Sequence, residues 1–274
     1  MSAAAFDALA AGYDGDFTHS LVGAAQRRVV WDVLDDCLCL HGRTLAVLEL
    51  NCGTGEDALH MARAGHRVVA TDVSGEMLRV ARGKFECSGL GHRLQTQLLD
   101  VQALASGEVR AQDLGGPFDL VFSNFGGLNC LSPEVLQDLA APLAACLAPQ
   151  GQVIAVVMPR LCLWESAWAL LHLQPRRAAR RWRGGPVSAR LGDAQPPLSV
   201  WYHGVADMQR ALGSHFQRER VRPVGLAVPP SYLEPLARRA PRWLALMERL
   251  DRRWLTAAWG ACLSDHALIQ WRRR

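Results

Sequence analysis

The sequence is short of several things. Lys84 is its single lysine, and it has three tyrosines among 274 residues. No apolar stretch reaches the roughly 20 residues a membrane span needs before charge or proline interrupts it. The opening Met1-Ser-Ala-Ala-Ala-Phe-Asp7 has neither a basic n-region nor an apolar h-region, so it does not read as a secretory signal. The eight cysteines contain no C-x-x-C pair and no Cys/His group at zinc spacing, which argues against a metal module. Several lie in apolar runs, as reduced thiols of a cytoplasmic protein do. No period repeats along the chain, which argues against a solenoid.

What is present is a large apolar fraction, 50%, enough for a substantial core and against a disordered chain. Charge is segregated. Residues 1–158 carry 10 basic and 18 acidic side chains, a formal −8; residues 159–274 carry 20 and 8, a formal +12. Eight of the nine tryptophans also lie in the second part. Arginine's dominance over lysine fits a GC-rich genome, but that does not explain the segregation. The expected organisation is a core with an N-terminal helical cap over 1–158. A basic Trp/Arg-rich region over 159–274 then adds a lid and closing strands of the same sheet.

The pattern predicts helix over the first 40 residues, where Leu21, Ala25, Val29, Val30, Val33 and Leu34 recur at helical spacing. Short apolar strands then alternate with helices: strands at Leu45–Leu50, Arg67–Asp72, Leu94–Leu99, Pro117–Phe122 and Gln152–Met158, and helices at Glu56–Ala64, from Ser74 to about Glu86, and from Ser132 to Leu147. Such alternation means an α/β fold, a Rossmann-like doubly wound, mostly parallel sheet with both faces covered. Beyond Met158 the pattern predicts a helix over Leu161–Gln174, a Gly/Pro-rich loop from Gly184 to Pro197, strands at Leu198–His203 and Phe216–Val224, interrupted helix over Tyr232–Asp251, and a closing strand Ala267–Trp271.

In such sheets ligands sit outside the carboxyl ends of the strands. That directs attention to Asn51–Gly55, Asp72, Asp100 and Ser123–Asn129. Gly53 and Gly55 lie between a strand and a helix, where glycine permits a tight turn and close approach of a ligand. Asp72 ends the next strand 19 residues after Gly53, where a carboxylate can accept both hydroxyls of a ribose. Asp100, or the backbone of Val101, can read an adenine edge, and Met77 can pack on its face. Gly53-x-Gly55-x-x-Ala58 also fits a dinucleotide fingerprint, so a nicotinamide-dependent oxidoreductase competes at this point.

Four segments together resolve the competition. Leu48-Glu-Leu-Asn-Cys-Gly-Thr-Gly55, Val69-Ala-Thr-Asp-Val-Ser-Gly-Glu-Met-Leu78, Leu98-Leu-Asp-Val101, and Phe118-Asp-Leu-Val-Phe-Ser-Asn124 with Leu147–Val153 resemble the class I S-adenosylmethionine-dependent methyltransferases. The upstream Tyr13-Asp14 helix is similar to the cap of their small-molecule members. Asn51 stands where the family usually has glycine; asparagine tolerates positive φ best among the other residues.

The resemblance implies S-adenosylmethionine as methyl donor. Glu49, Asn51, Gly53 and Gly55 would hold its methionine part and Asp72 its ribose. Val73, Met77, Asp100 and Val101 would lie at the adenine, Asn124 near the amino end, and Tyr13 over the whole. It implies an enzyme that methylates a small-molecule acceptor; the Trp- and Arg-rich second region, read as a lid, makes that acceptor apolar or aromatic, with an anionic group in one version. Candidates for proton transfer or positioning are His19, His203, His215, Tyr202 and Asn129. No metal is expected. An RNA methyltransferase and a non-catalytic binding subunit are the alternatives. The chain has no recognisable RNA-binding module, and the Asn-Pro-Pro-aromatic tetrad of amino-methylating nucleic-acid enzymes is absent after Ser123. Trp164, Trp168 and Leu171, followed by Arg176, Arg177, Arg180, Arg181 and Arg183, read as a packed helix with solvated arginines, as a substrate lid, or as a contact with a membrane surface. The oligomeric state is not legible.

Overall fold

The computed structural model describes residues 3–182, 184–189 and 198–274. Its core is a seven-stranded sheet built from β1 (Ala46–Leu50), β2 (Arg67–Asp72), β3 (Leu94–Leu98), β4 (Phe118–Ser123), β5 (Leu147–Val157), β8 (Phe216–Val224) and β9 (His266–Arg273); β6 (Val187–Ala189) and β7 (Leu198–Val200) form a separate ribbon. The order is β3-β2-β1-β4-β5-β9-β8. β1 to β5 run parallel, while β9 is antiparallel to both β5 and β8. The strand order reverses between β1 and β4, whose carboxyl ends meet with Leu50 opposite Ser123. A crevice opens at such a point.

The continuous apolar runs follow from burial on both faces. Leu48, Leu50, Val121 and Ala155 pack on one face with helices 101–106, 133–138, 140–146 and 205–212. Val47, Leu120, Phe122 and Ile154 pack on the other with Val29, Val33 and Leu34 of the long helix Leu21–Cys39. Ser20 caps that helix, its Oγ accepting from Gly23 N–H at 3.0 Å. Ahead of it, Ala3–Asp7 and the wide turn Asp14–Thr18 lie beside the crevice rather than forming one continuous helix.

Several expectations need correction. The helix expected from Ser132 to Leu147 breaks into Pro133–Asp138 and Ala140–Cys146, because Pro142 has no N–H to donate to the Asp138 carbonyl. β7 ends at Val200, short of His203, and the helix after Met158 is confined to Leu163–Leu171. The stretch read as loop contains β6, which pairs with β7, Val187 opposite Val200; residues 190–197 of that loop lie outside the described residues. Helix Val205–Leu212 was not expected. It begins at Gly204, whose N–H donates to Asp207 Oδ2 at 2.8 Å. Pro235 and Pro241 start helices Glu234–Arg239 and Pro241–Arg253 rather than interrupting one. Among the described residues no helix is long and apolar enough to cross a membrane.

Candidate active site

The turn after β1 is held by backbone conformations that few residues accept. Asn51, Gly53 and Gly55 all have positive φ, +56°, +53° and +76°. A Cβ on Gly55 would lie 2.7 Å from the Phe85 ring, so the helix behind requires glycine there. Asp72 at the end of β2 accepts from Gly53 N–H through Oδ2 and from Ser74 N–H through Oδ1, each at 2.9 Å. Each oxygen keeps a lone pair for a ligand. Burial pushes the Asp72 carboxyl above its ordinary range, against backbone hydrogen bonds from Ser74, Gly53 and Val73. Asp7 of the N-terminal helix accepts from Ser74 Oγ at 2.5 Å, which pins that helix alongside.

Beneath the turn lies a buried charged group that sequence reasoning missed. Asp57 binds Arg27 Nη1 at 2.5 Å, Trp31 Nε1 at 2.7 Å and Asn124 Nδ2 at 2.9 Å. The Arg27 guanidinium sits 5.0 Å over the Phe125 ring. Phe125 has φ +44°, unusual for a bulky residue and a form of strain that clusters at functional sites. It is gripped by Phe17 and His266, whose rings meet it edge-on at 5.1 and 5.3 Å. Glu49 is buried, and burial followed by the Asp57 charge holds its carboxyl well above the carboxylate range. Glu49 Oε2 and Asn51 Oδ1 find no partner among the described residues. Tyr13 faces Gly53, 3.8 Å from where a Cβ would stand. Its phenol is pushed up to about 12 by burial, which Arg27 opposes and the surrounding carboxylates reinforce.

These groups border a cavity of about 330 Å³. Tyr13, Asn51, Gly53, Asp72, Val73, Met77 and Asn124 line it from the core, with Phe6, Leu9, Phe125 and Met158. Arg180, Arg181, Leu198, Val200 and Tyr202 close the far side. Gly55 and Glu49 stand behind this wall rather than on it. A second cavity of about 240 Å³ shares Met158, Arg180 and Arg181 and adds Glu165, Trp168, Tyr232, Asp265 and His266.

Arg181 divides the two cavities. It is buried, donating to Glu165 Oε2 at 2.6 Å, Asp265 Oδ1 at 2.8 Å and the Asp265 carbonyl at 3.1 Å, and lies 5.0 Å over the Tyr202 ring. Burial raises the Asp265 carboxyl, but His266, Arg181 and Gln26 outweigh it and hold it below the usual range. Burial lowers the His266 imidazole more than Asp265 raises it, so the ring is neutral near pH 7.

Other expected positions lie elsewhere. Asp100 accepts from Gln102 N–H at 2.9 Å as a helix cap, and Val101 is packed in the core; neither is on the cavity wall. Asn129 is a structural clasp. Its Nδ2 donates to the Met158 and Trp201 carbonyls at 3.1 and 2.6 Å, and its Oδ1 accepts from Met158 N–H at 2.8 Å. His203 is buried with Nε2 2.9 Å from the Leu131 carbonyl. His19 and His215 are exposed and line neither cavity. Of the five proton-transfer candidates, Tyr202 alone reaches the wall. Arg181 is buried rather than solvated, and Arg180 Nη2 meets Glu165 Oε1 at 2.9 Å. Arg176 is exposed, while Arg183 and the Arg177 side chain lie outside the described residues. Among the described residues no group of three or more His, Cys, Asp or Glu is placed to hold a metal ion.

With this geometry in view, comparison with known proteins is informative. Residues 47–151 match a family described as a methyltransferase domain. The chain is 29% identical over 117 residues to the tRNA 5-carboxymethoxyuridine methyltransferase of Escherichia coli K12, a match covering 42% of each protein. It is 34% identical over 125 residues to the release factor glutamine methyltransferase of Chlorobaculum tepidum, covering 42% of this chain and 41% of that enzyme. The chain thus spans about two fifths of the length of these curated relatives. Among solved structures it is similar to magnesium protoporphyrin IX methyltransferase from Synechocystis PCC 6803 with bound S-adenosylhomocysteine, with a TM-score of 0.55, 17% identity and coverage of 93% and 86%. A methyltransferase structure from Methanosarcina mazei gives a TM-score of 0.55 at 14% identity, covering 84% of this chain and 92% of that one. At these identities the structural likeness speaks for the fold.

Proposed function

We propose, from the match of residues 47–151 to a methyltransferase domain, that this chain is an S-adenosylmethionine-dependent methyltransferase acting on a small apolar acceptor held between its core and its C-terminal region. One observation carries the reading. A single cavity is lined both by hydrogen-bonding groups of the strand ends, Asn51 and Asp72, and by an apolar set that includes Met158, Leu198 and Val200, with two arginines beside them.

The polar groups suit the cofactor. The carboxylate of Asp72, already aimed by two N–H groups, accepts a diol. The unpartnered Oδ1 of Asn51, on the cavity wall, suits an ammonium group. Met77 and Val73 offer an apolar face to a purine, and Tyr13 closes over Gly53. When bound, S-adenosylmethionine supplies an electrophilic methyl carbon.

The residues of the chain bind, orient and exclude water. Phe6, Leu9, Leu198 and Val200 desolvate the acceptor, and Arg180 offers a cation to an acidic substituent. Where the acceptor must lose a proton, neutral His266, with Nδ1 3.4 Å from Asp265 Oδ2, stands on the wall of the adjoining cavity to receive it.

The relative named for a tRNA nucleoside supports an RNA acceptor as the second reading, through a match confined to 117 residues. Incubation with methyl-labelled S-adenosylmethionine and fractionated cell extract separates the two. Label is expected in organic-extractable small molecules; label in RNA replaces the small-molecule reading. Tight cofactor binding with no label in any fraction would support a non-catalytic subunit.

A further inference from the structure

Helix Leu163–Leu171 is built inside out. Its one carboxylate, Glu165, points inward and is buried against Arg180 and Arg181. Its leucines point outward: Leu170 is 57% exposed and Leu171, the last residue, 79%. Two residues on, Leu173 adopts φ +56° and is 89% exposed. A bulky residue in the left-handed region normally has its strain offset by packing; here the side chain is in water.

The apolar face continues across a second element. Trp168 meets Tyr232 with ring centroids 6.2 Å apart, and Tyr232 and Leu236 are both exposed. The charge around this face has one sign. Glu165 is spent on Arg180 and Arg181, so the charge left at the face comes from the exposed arginines beside it. Arg176 and Arg239 are exposed, and Glu234 is occupied by the N–H groups of Leu21 and Val22 and by Arg238.

We propose that this face, helix Leu163–Leu171 with the segment 231–239, docks on the surface of an anionic lipid bilayer. Leu170, Leu171 and Leu173 enter the boundary between headgroups and acyl chains, and Arg176 and Arg239 lie at the level of the phosphates. Exposed leucines beside arginines match an interfacial anchor. A second copy of the chain is a poorer occupant, because a two-fold contact sets the same arginines against each other. RNA satisfies the arginines but gives the leucines nothing to bury against. Trp168 and Arg180 also border the second cavity, so docking would place that cavity near the bilayer.

The proposal does not depend on the methyl-transfer reading and is tested without cofactor. The full chain is sedimented with vesicles of phosphatidylcholine and phosphatidylglycerol in equal parts, and with phosphatidylcholine alone. Binding is expected to the anionic vesicles, and the double variant Leu171→Glu/Leu173→Glu should weaken it at least about tenfold. Both side chains are exposed, so thermal melting of the variant should match the parent. Arg176→Gln should weaken the anionic preference. Three results would overturn the proposal: no vesicle binding, equal binding to phosphatidylcholine alone, or unchanged binding by the double variant. A dimer, or a complex with tRNA, that the same leucine substitutions dissolve would assign the face to that partner instead.

Discussion

Gly53 and Asp72, 19 residues apart, are joined by a 2.9 Å hydrogen bond from the glycine N–H to the aspartate Oδ2. The bond crosses from the β1 turn to the end of β2. The two motifs that suggested a nucleoside-binding protein are therefore one mechanical unit, and a change at either disturbs the other.

Asp72→Ala should reduce S-adenosylhomocysteine affinity tenfold or more, since hydrogen bonds to a charged group contribute about 1.5–3 kcal/mol each. Calorimetric titration of the folded variant decides it. Unchanged affinity would remove the ribose role.

Arg181→Met should be strongly destabilising, by about 3–5 kcal/mol, because Glu165 and Asp265 would stay buried with their main cation gone. Urea unfolding measures the loss. If the cofactor and acceptor ends are separate, S-adenosylhomocysteine affinity well below the melting transition should stay near that of the parent.

Asn129→Ala and His203→Ala should lower the melting temperature rather than act on a chemical step. Asn129→Ala removes three hydrogen bonds around Met158 and Trp201, a loss of roughly 2–4 kcal/mol. His19→Ala and His215→Ala should change neither stability nor cofactor affinity. Calorimetry and scanning fluorimetry on the four variants test this together.

Asp251 supplies a pH dependence. It is buried, with its carboxyl raised to about 6 by desolvation despite hydrogen bonds from Ala227 and Val228. The folded protein therefore holds this proton more tightly than the unfolded chain does. The stabilisation from protonated Asp251 is complete below about pH 4 and lost as pH rises to about 6, a decline of up to roughly 3 kcal/mol from this group. Asp251→Asn should flatten that part of the stability profile. Parallel slopes for parent and variant between pH 4 and 6 would contradict the assignment.

The sequence made the cofactor half legible for a local reason. Strands buried on both faces read as unbroken apolar runs, and Gly53, Gly55 and Asp72 each end or follow such a run. The Arg181 side of the cavities was hidden because its partners are distant in sequence. Arg181 meets Glu165 16 positions away and Asp265 84 positions away, and none of the three stands in a motif. An arginine in an Arg-rich stretch reads as solvated until a buried carboxylate is placed beside it. Arg27 was masked in the same way by Arg28, which does reach the surface to pair with Glu248 at 2.6 Å. Helix Val205–Leu212 was overlooked because it is only eight residues long, so its stripe of Val205, Met208 and Leu212 repeats too few times to stand out. Asn129 and His203 have the chemistry of an active site but spend it on backbone groups.

The placement of β9 bears on how the molecule is made. Latest of the strands in sequence, it lies inside the sheet, between β5 and β8. During synthesis the apolar Val153–Val157 edge of β5 waits without its neighbour until His266–Arg273 have left the ribosome. An open edge of that kind invites pairing with other chains. Because β9 also delivers His266 to the rim of the second cavity, the growing chain completes that cavity only at the step that covers the open edge of β5.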